Sequence, residues 1–373
     1  MKKLKSSNPV RLIAFFLTAV LLICTFGLGV EGSQKNNECQ DGSDNTIVDN
    51  SQNDSSQDIS KEDSSDNTDN EPEIYIPEFI NRLTGVESSE EIATSAHLAF
   101  VMNPDISLYG ISGADIVCDI PTEIGRRIVA FIPESQQLWK IGAISPTRGY
   151  ISNLSKFFGG ICISAGNDDQ MSYGCCDVRN TTLDLTIEDK YYYTEFTDYI
   201  YTNRDMLSTA IEDCNIITSS SSVGTLPYAF NGYDSPPLIY GNKSIFKASL
   251  NDSNNSFSLI YDESKCSYSV FNKGELLKDT MNGKGLDFTN CLILFADSVV
   301  YDNSHYSQMV MDTVGSGSGF YLSLSGLCEI KWSSNEDGMM KITTLNGEDL
   351  TINRGKTYLS FLTASTKEKI LFE

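Results

Sequence analysis

Apolar residues recur along this chain in two rhythms. Residues 98–102, 116–118 with their flanks, 127–132 and 160–164 are short apolar runs of strand length. Between and after them, 150–158 places Ile151, Leu154 and Phe158 on one helical face, and 203–214 does the same with Met206, Leu207, Ala210 and Ile211. From Lys247 onward strand is expected to follow strand, over 257–262, 267–271, 291–296, 309–313, 320–324, 330–332, 340–344 and 357–361. Turn signals punctuate them at Asn272-Lys273-Gly274, Asn282-Gly283 and Asn346-Gly347. The pattern predicts an α+β fold, with mixed sheets and a few helices in the N-terminal part and a strand-rich C-terminal part.

The run Gly315-Ser316-Gly317-Ser318-Gly319 raises the question of a phosphate loop, but such a loop must open a helix so that free N–H groups point at the anion. Here Phe320, Leu322 and Leu324 alternate, Gly326 breaks the run, and residues 329–332 alternate again, which is hairpin patterning. The glycines are therefore expected to form a turn or bulge.

Residues 12–30 form an apolar run behind Lys2, Lys3, Lys5 and Arg11, the pattern of a membrane-targeting element. Those 19 residues would span about 28 Å as a helix, close to the hydrocarbon thickness. An uncleaved anchor with the remainder outside is one reading. A lipoprotein signal with Cys24 as the lipidated residue is another, although Ile23 stands where a small residue is wanted, and cleavage near Gly32 is a third. Residues 33–73 are Ser, Asn, Asp, Gln and Glu with almost no apolar side chain, too polar to offset the entropy of ordering. They read as a tether with a typical reach of roughly 35 Å. The expected organisation is thus a signal peptide or anchor over 1–32, the tether, and folded parts at 74–235 and 236–373, the second beginning after a Ser/Gly/Pro-rich stretch at 219–237.

The tether holds 12 acidic residues against Lys35 and Lys61, a net −10 of the chain total of −23. So acidic a chain disfavours nucleic acid and anionic lipid heads as partners. Ten cysteines would suggest a disulfide framework in a small domain, but about 300 folded residues need no such staples. Cys118, Cys162, Cys291 and Cys328 sit in or beside apolar runs and read as small buried hydrophobes, while the adjacent Cys175-Cys176 could pair elsewhere, for example with Cys214. The C-x-x-C spacing of a zinc or redox site is missing, and Asn251-Asp252-Ser253-Asn254 does not complete a calcium loop. No cofactor or metal is expected.

Several segments, in this order, resemble the YerB-like bacterial lipoproteins, a family known by its fold rather than by an established activity. They are Asn81-Arg82-Leu83-Thr84-Gly85, Ser112-Gly113-Ala114-Asp115-Ile116-Val117, Ile141-Gly142 through Arg148-Gly149-Tyr150, and Tyr201-Thr202 with Leu207. Tyr268 through Gly274 to Asp279, the glycine run, Trp332 and Gly355-Lys356-Thr357 complete the likeness. The resemblance implies a lipoprotein-like extracytoplasmic protein. It also exposes departures. Polar family positions are replaced within Ala143-Ile144-Ser145-Pro146, near Ile163-Ser164, at Thr197-Asp198 and at Val270, whereas Glu123, Arg126 or Arg127, Arg148 and Tyr201 persist.

His97 and His305 are the only histidines, and neither sits beside a nucleophile or metal-ligand pattern. Asp115, Asp119 and Glu123 recur every fourth residue, as a carboxylate-based hydrolase could use, but they fall on a strand interrupted by Pro121. Asp115 reads instead as a turn or cap carboxylate. Cations are scarce in the folded part, and arginine grips carboxylate or phosphate in bidentate fashion, so Arg127 and Arg148, with Glu123 and Tyr201, form the candidate site for a small anionic ligand. Tyr191-Tyr192-Tyr193, Phe196, Tyr199 and Tyr201 could offer a stacking platform, although strand alternation would bury half of them. The leading expectation is a non-catalytic, membrane-anchored, extracytoplasmic binding or assembly protein of the cell envelope. Its expected partners are the membrane, through the N-terminal segment, and a small anionic ligand or an envelope protein. An envelope hydrolase or transferase using carboxylates, and a degenerate scaffold for another envelope protein, are the alternatives.

Overall fold

Alternating apolar positions at both ends of the folded sequence meet in one sheet. The computed structural model describes residues 75–166, 182–195, 198–216, 225–252, 256–302 and 307–373. The 12–30 segment, the tether, Cys24, Cys175-Cys176, Thr197 and His305 lie outside the described residues. Among the described residues no helix is long and apolar enough to cross a membrane.

The larger sheet has 13 strands. At its centre Ile116–Thr122 lies between Gly125–Pro133, its antiparallel hairpin partner, and Thr357–Thr363, which runs parallel to it. On the C-terminal side follow Asn290–Ala296, Ser316–Ser323, Gly326–Ser334 and Met340–Thr344. On the other side follow His97–Met102, Ile141–Ile144, Ile200–Thr202 and Tyr193–Thr194, while Gly160–Ser164 joins His97–Met102 in parallel and carries Thr182–Asp184 beyond it. Strands from both sides of residue 235 therefore share this sheet. A second sheet of six strands is built from Lys247–Leu250, Phe257–Asp262, Ser267–Asn272, Glu275–Leu276, Asp287–Phe288 and Ile370–Phe372. The fold is mostly β, with mixed sheets and few helices.

Two apolar clusters follow from the alternation of side chains across each strand. On one face of the large sheet, Phe100, Val117, Ile128, Ile293 and Leu322 are buried with Ala248, Leu250, Phe257 and Leu259 of the small sheet. On the other, Val101, Cys118, Val129 and Phe131 are buried with Tyr150, Ile151, Leu154 and Phe157 of the helix Gly149–Phe157. Cys118, Cys162 and Cys291 are free and buried, and Cys328 is half-buried. In the first two, burial pushes the thiol pKa up, which keeps them protonated and inert.

The glycine run departs from the expected turn. Gly317 and Gly319 lie inside the strand Ser316–Ser323, and the reversal comes after it, at Leu324-Ser325, both with positive φ in a two-residue hairpin loop. The reason is close packing. A Cβ at Gly317 would overlap the Phe295 carbonyl and sit 2.6 Å from Trp332 Nε1, and that indole donates to the Phe295 carbonyl at 2.9 Å.

Candidate functional site

Arg126 and Arg127 are neighbours on one strand, so their side chains leave on opposite faces. Arg126 enters the interior between the sheets, where its Nε donates to Asp119 Oδ1 at 2.5 Å and its Nη2 to Ser360 Oγ at 2.9 Å. Tyr358 donates to Asp119 Oδ2 at 2.6 Å, completing a fully buried polar cluster. Burial pulls the Arg126 pKa down, but the Asp119 carboxylate and its neighbours more than offset this, leaving it above the usual arginine value.

Arg127 emerges on the helix-bearing face. It lines a cavity of about 290 Å³ between the loop after His97–Met102 and the strands Ile141–Ile144 and Ile200–Thr202. Its Nη1 donates to the Arg126 carbonyl at 2.9 Å, and among the described residues no carboxylate lies within ion-pair distance of it. Burial and the nearby Arg148 guanidinium lower its pKa, partly countered by Glu123 and Asp105.

Arg148 caps the helix Gly149–Phe157 with extended backbone, and its Nη2 donates to Glu123 Oε1 at 2.7 Å. Glu123 stands in the hairpin between Ile116–Thr122 and Gly125–Pro133, and its Oε2 accepts the Met309 N–H at 3.4 Å. Burial opposes the Glu123 charge, yet backbone N–H donation and Arg148 outweigh it, so its pKa lies below the usual glutamate value. Glu123 therefore answers Arg148, and Arg127 is left as the guanidinium that lines the cavity without a paired carboxylate among the described residues.

Tyr201 belongs to a different cluster. Its neighbour Ile200 lines the cavity, whereas the Tyr201 ring turns to the opposite face and packs edge-to-face with Tyr109 and tilted against Tyr193, at centroid distances of 5.8 and 5.9 Å. Lys140 Nζ sits 3.9 Å from the Tyr109 ring centre and 4.2 Å from that of Tyr201, and pairs with Glu195 at 2.7 Å. The structure therefore brings Glu123, Arg127 and Arg148 together and places Tyr201 apart. Of the tyrosine-rich stretch, Tyr191 is buried and donates to Asp213 at 3.0 Å, and Tyr199 lines the cavity.

The three carboxylates spaced four apart do not converge. Asp119 is committed to Arg126 and Tyr358, Glu123 to Arg148, and Asp115 to His97 and Asn81. His97 Nε2 lies 3.1 Å from Asp115 Oδ2, which also accepts Asn81 Nδ2 at 2.8 Å, and both His97 and Asp115 are buried. Asp115 is thus held by side chains rather than serving as the expected turn carboxylate. Lys356 stands close enough to feel Asp115, and burial lowers its pKa. Sequence reasoning missed this pairing because His97 and Asp115 meet only through the sheet. Among the described residues no cluster of three metal-ligating side chains forms.

The cavity walls also include Ala143 to Pro146, Ala165 and Asp198. Residues 247–359 match the family model for the protein of unknown function (DUF3048) C-terminal domain. The crystal structure of YerB protein from Bacillus subtilis is similar at 19% identity, with a TM-score of 0.64 over 79% of this chain and 99% of that chain. The chain carries a YerB-like domain of unknown function. At that identity the likeness to the solved structure is one of fold. No curated protein matches the sequence. The DUF3048 match spans most of the small sheet and the C-terminal strands of the large one, whereas Arg127 and Arg148 come from the part before it.

Proposed function

We propose that this α+β chain is a non-catalytic, extracytoplasmic binding protein of the bacterial envelope, held at the membrane by residues 12–30 or by lipid on Cys24, and that it binds a small anion at Arg127. The observation that carries the reading is the contrast among the arginines. Arg126 and Arg148 each hold a carboxylate, while Arg127 presents its guanidinium to an open cavity with one backbone carbonyl as partner. A part-buried guanidinium beside a concave, largely apolar wall is the arrangement that recognises carboxylate or phosphate groups. The separate commitments of Asp115, Asp119 and Glu123 favour binding over carboxylate catalysis.

Isothermal titration of the full-length protein with acetate and with inorganic phosphate tests this. Saturable heat from at least one anion, abolished in Arg127→Gln with the circular dichroism unchanged, is the expected result. Equal titration curves for wild type and Arg127→Gln would remove the site.

A further inference from the structure

The cavity that holds Arg127 carries a second charge of opposite sign. Asp198 lines the same space, is exposed, and among the described residues makes no ion pair. Ile106, Ile144, Pro146 and Ile200 supply much of the apolar wall, and Asn103 and Ser145 are further polar groups in the lining. A simple anion would use Arg127 alone, leaving Asp198 without a counter-charge and the apolar wall unused. A simple cation would meet the converse penalty at Arg127. A molecule bearing a carboxylate and an ammonium group around an aliphatic body satisfies all three features at once: bidentate hydrogen bonds to the guanidinium, an ion pair with Asp198, and burial of the aliphatic part. The volume of about 290 Å³ is close to that of the smallest small-molecule pockets, which suits an occupant of amino-acid or dipeptide size.

We infer that the Arg127 cavity takes a small zwitterion, a free amino acid or dipeptide with aliphatic side chains, its carboxylate on Arg127 and its ammonium group on Asp198. This rests on the reading of Arg127 as an anion site and adds the second pole. No bond is made or broken, and selection comes from the two charges and the wall between them.

Titration of the full-length protein with alanine and with alanyl-alanine, in all-L and all-D forms, alongside the N-acetyl and C-amide derivatives, tests the inference. The free zwitterion is expected to bind. Acetylating its amine should weaken binding at least ten-fold in wild type but little in Asp198→Asn, because the partner charge is already gone there. Amidating the carboxylate should abolish binding, as should Arg127→Gln. If the N-acetyl form binds as well as the free one and Asp198→Asn changes nothing, the zwitterion inference is overturned while the anion site stands. The same holds if acetate binds in an Arg127-dependent way but no amino acid or dipeptide does. If none of these probes, acetate and phosphate included, distinguishes wild type from Arg127→Gln, both readings fall together.

Discussion

Tyr358 donates its hydroxyl to Asp119 at 2.6 Å from the neighbouring parallel strand, so a carboxylate from the first third of the sequence is held by a phenol from its last twentieth. Asp119 in turn neutralises Arg126, and the whole group is shut away from water. Removing one partner of a buried ion pair exposes the other to an uncompensated interior. Asp119→Ala should therefore cost about 3–5 kcal/mol, and Tyr358→Phe, which deletes a single donor to a charged acceptor, about 1–3 kcal/mol. Urea denaturation at neutral pH reads both. An Asp119→Ala loss no larger than that of Tyr358→Phe would mean that Arg126 finds another counter-charge.

Glu123 gives a pH-dependent signature. Its folded pKa lies below its unfolded value, so its contribution to stability is complete above the ordinary glutamate range near pH 4.3 and is lost as pH falls through the lower folded value. The urea midpoint of Glu123→Gln should fall below that of wild type at pH 7, and the gap should close at the acid end. A gap that stays constant down to pH 3 would contradict the assignment. Because the pair with Arg148 is partly solvent-exposed, the difference at pH 7 should be modest, about 1 kcal/mol or less.

His97 and Asn81 address the same oxygen, Asp115 Oδ2. Each single removal, His97→Ala or Asn81→Ala, leaves the buried carboxylate with one side-chain donor fewer and should cost about 1–3 kcal/mol. The double variant should depart from the sum of the singles, since contacts that share an acceptor do not add. A double-mutant cycle by chemical denaturation measures the coupling, and strict additivity would show that the two donors act independently.

Gly317→Ala should destabilise the C-terminal strands by about 1–3 kcal/mol or more, because the added methyl cannot enter without displacing Trp332 or the strand that carries Phe295. Trp332 is 2% exposed and Trp139, the other tryptophan, 80%. Placing the substitution in a Trp139→Phe background lets fluorescence report Trp332 alone. Red-shifted emission and a lowered Tm are expected, and unchanged values would mean that the backbone has room.

Strands with apolar runs between turn residues were legible before any coordinates. Phe257–Asp262, Gly160–Ser164 and Met340–Thr344 have the bounds expected of them, and both long helices fall within a residue of expectation at each end. Ile141–Ile144 and Lys247–Leu250 escaped notice because four residues hold too little pattern to separate strand from loop. The glycine run misled for another reason: Gly317 answers to an indole 15 residues away, and local turn chemistry carries no trace of that contact. At the site, scarcity of cations pointed to Arg127 and Arg148, and strand alternation then separates Arg127 from Arg126. Tyr201 could not be assigned a face without its register against Ile141–Ile144, and Asp198, noted only within a segment that departs from the resembled pattern, gained a role when it was found lining the cavity with Arg127.

The parallel pairing of Ile116–Thr122 with Thr357–Thr363 also orders events during synthesis. While the ribosome works through the intervening two hundred and more residues, the first of these strands has its hairpin partner but an open edge, with Asp119 and Arg126 lacking Tyr358 and Ser360. Such an edge invites pairing with other nascent chains. Completion of the sheet is therefore a late event, and a transcript truncated before codon 357 should yield an aggregating product rather than a smaller working domain.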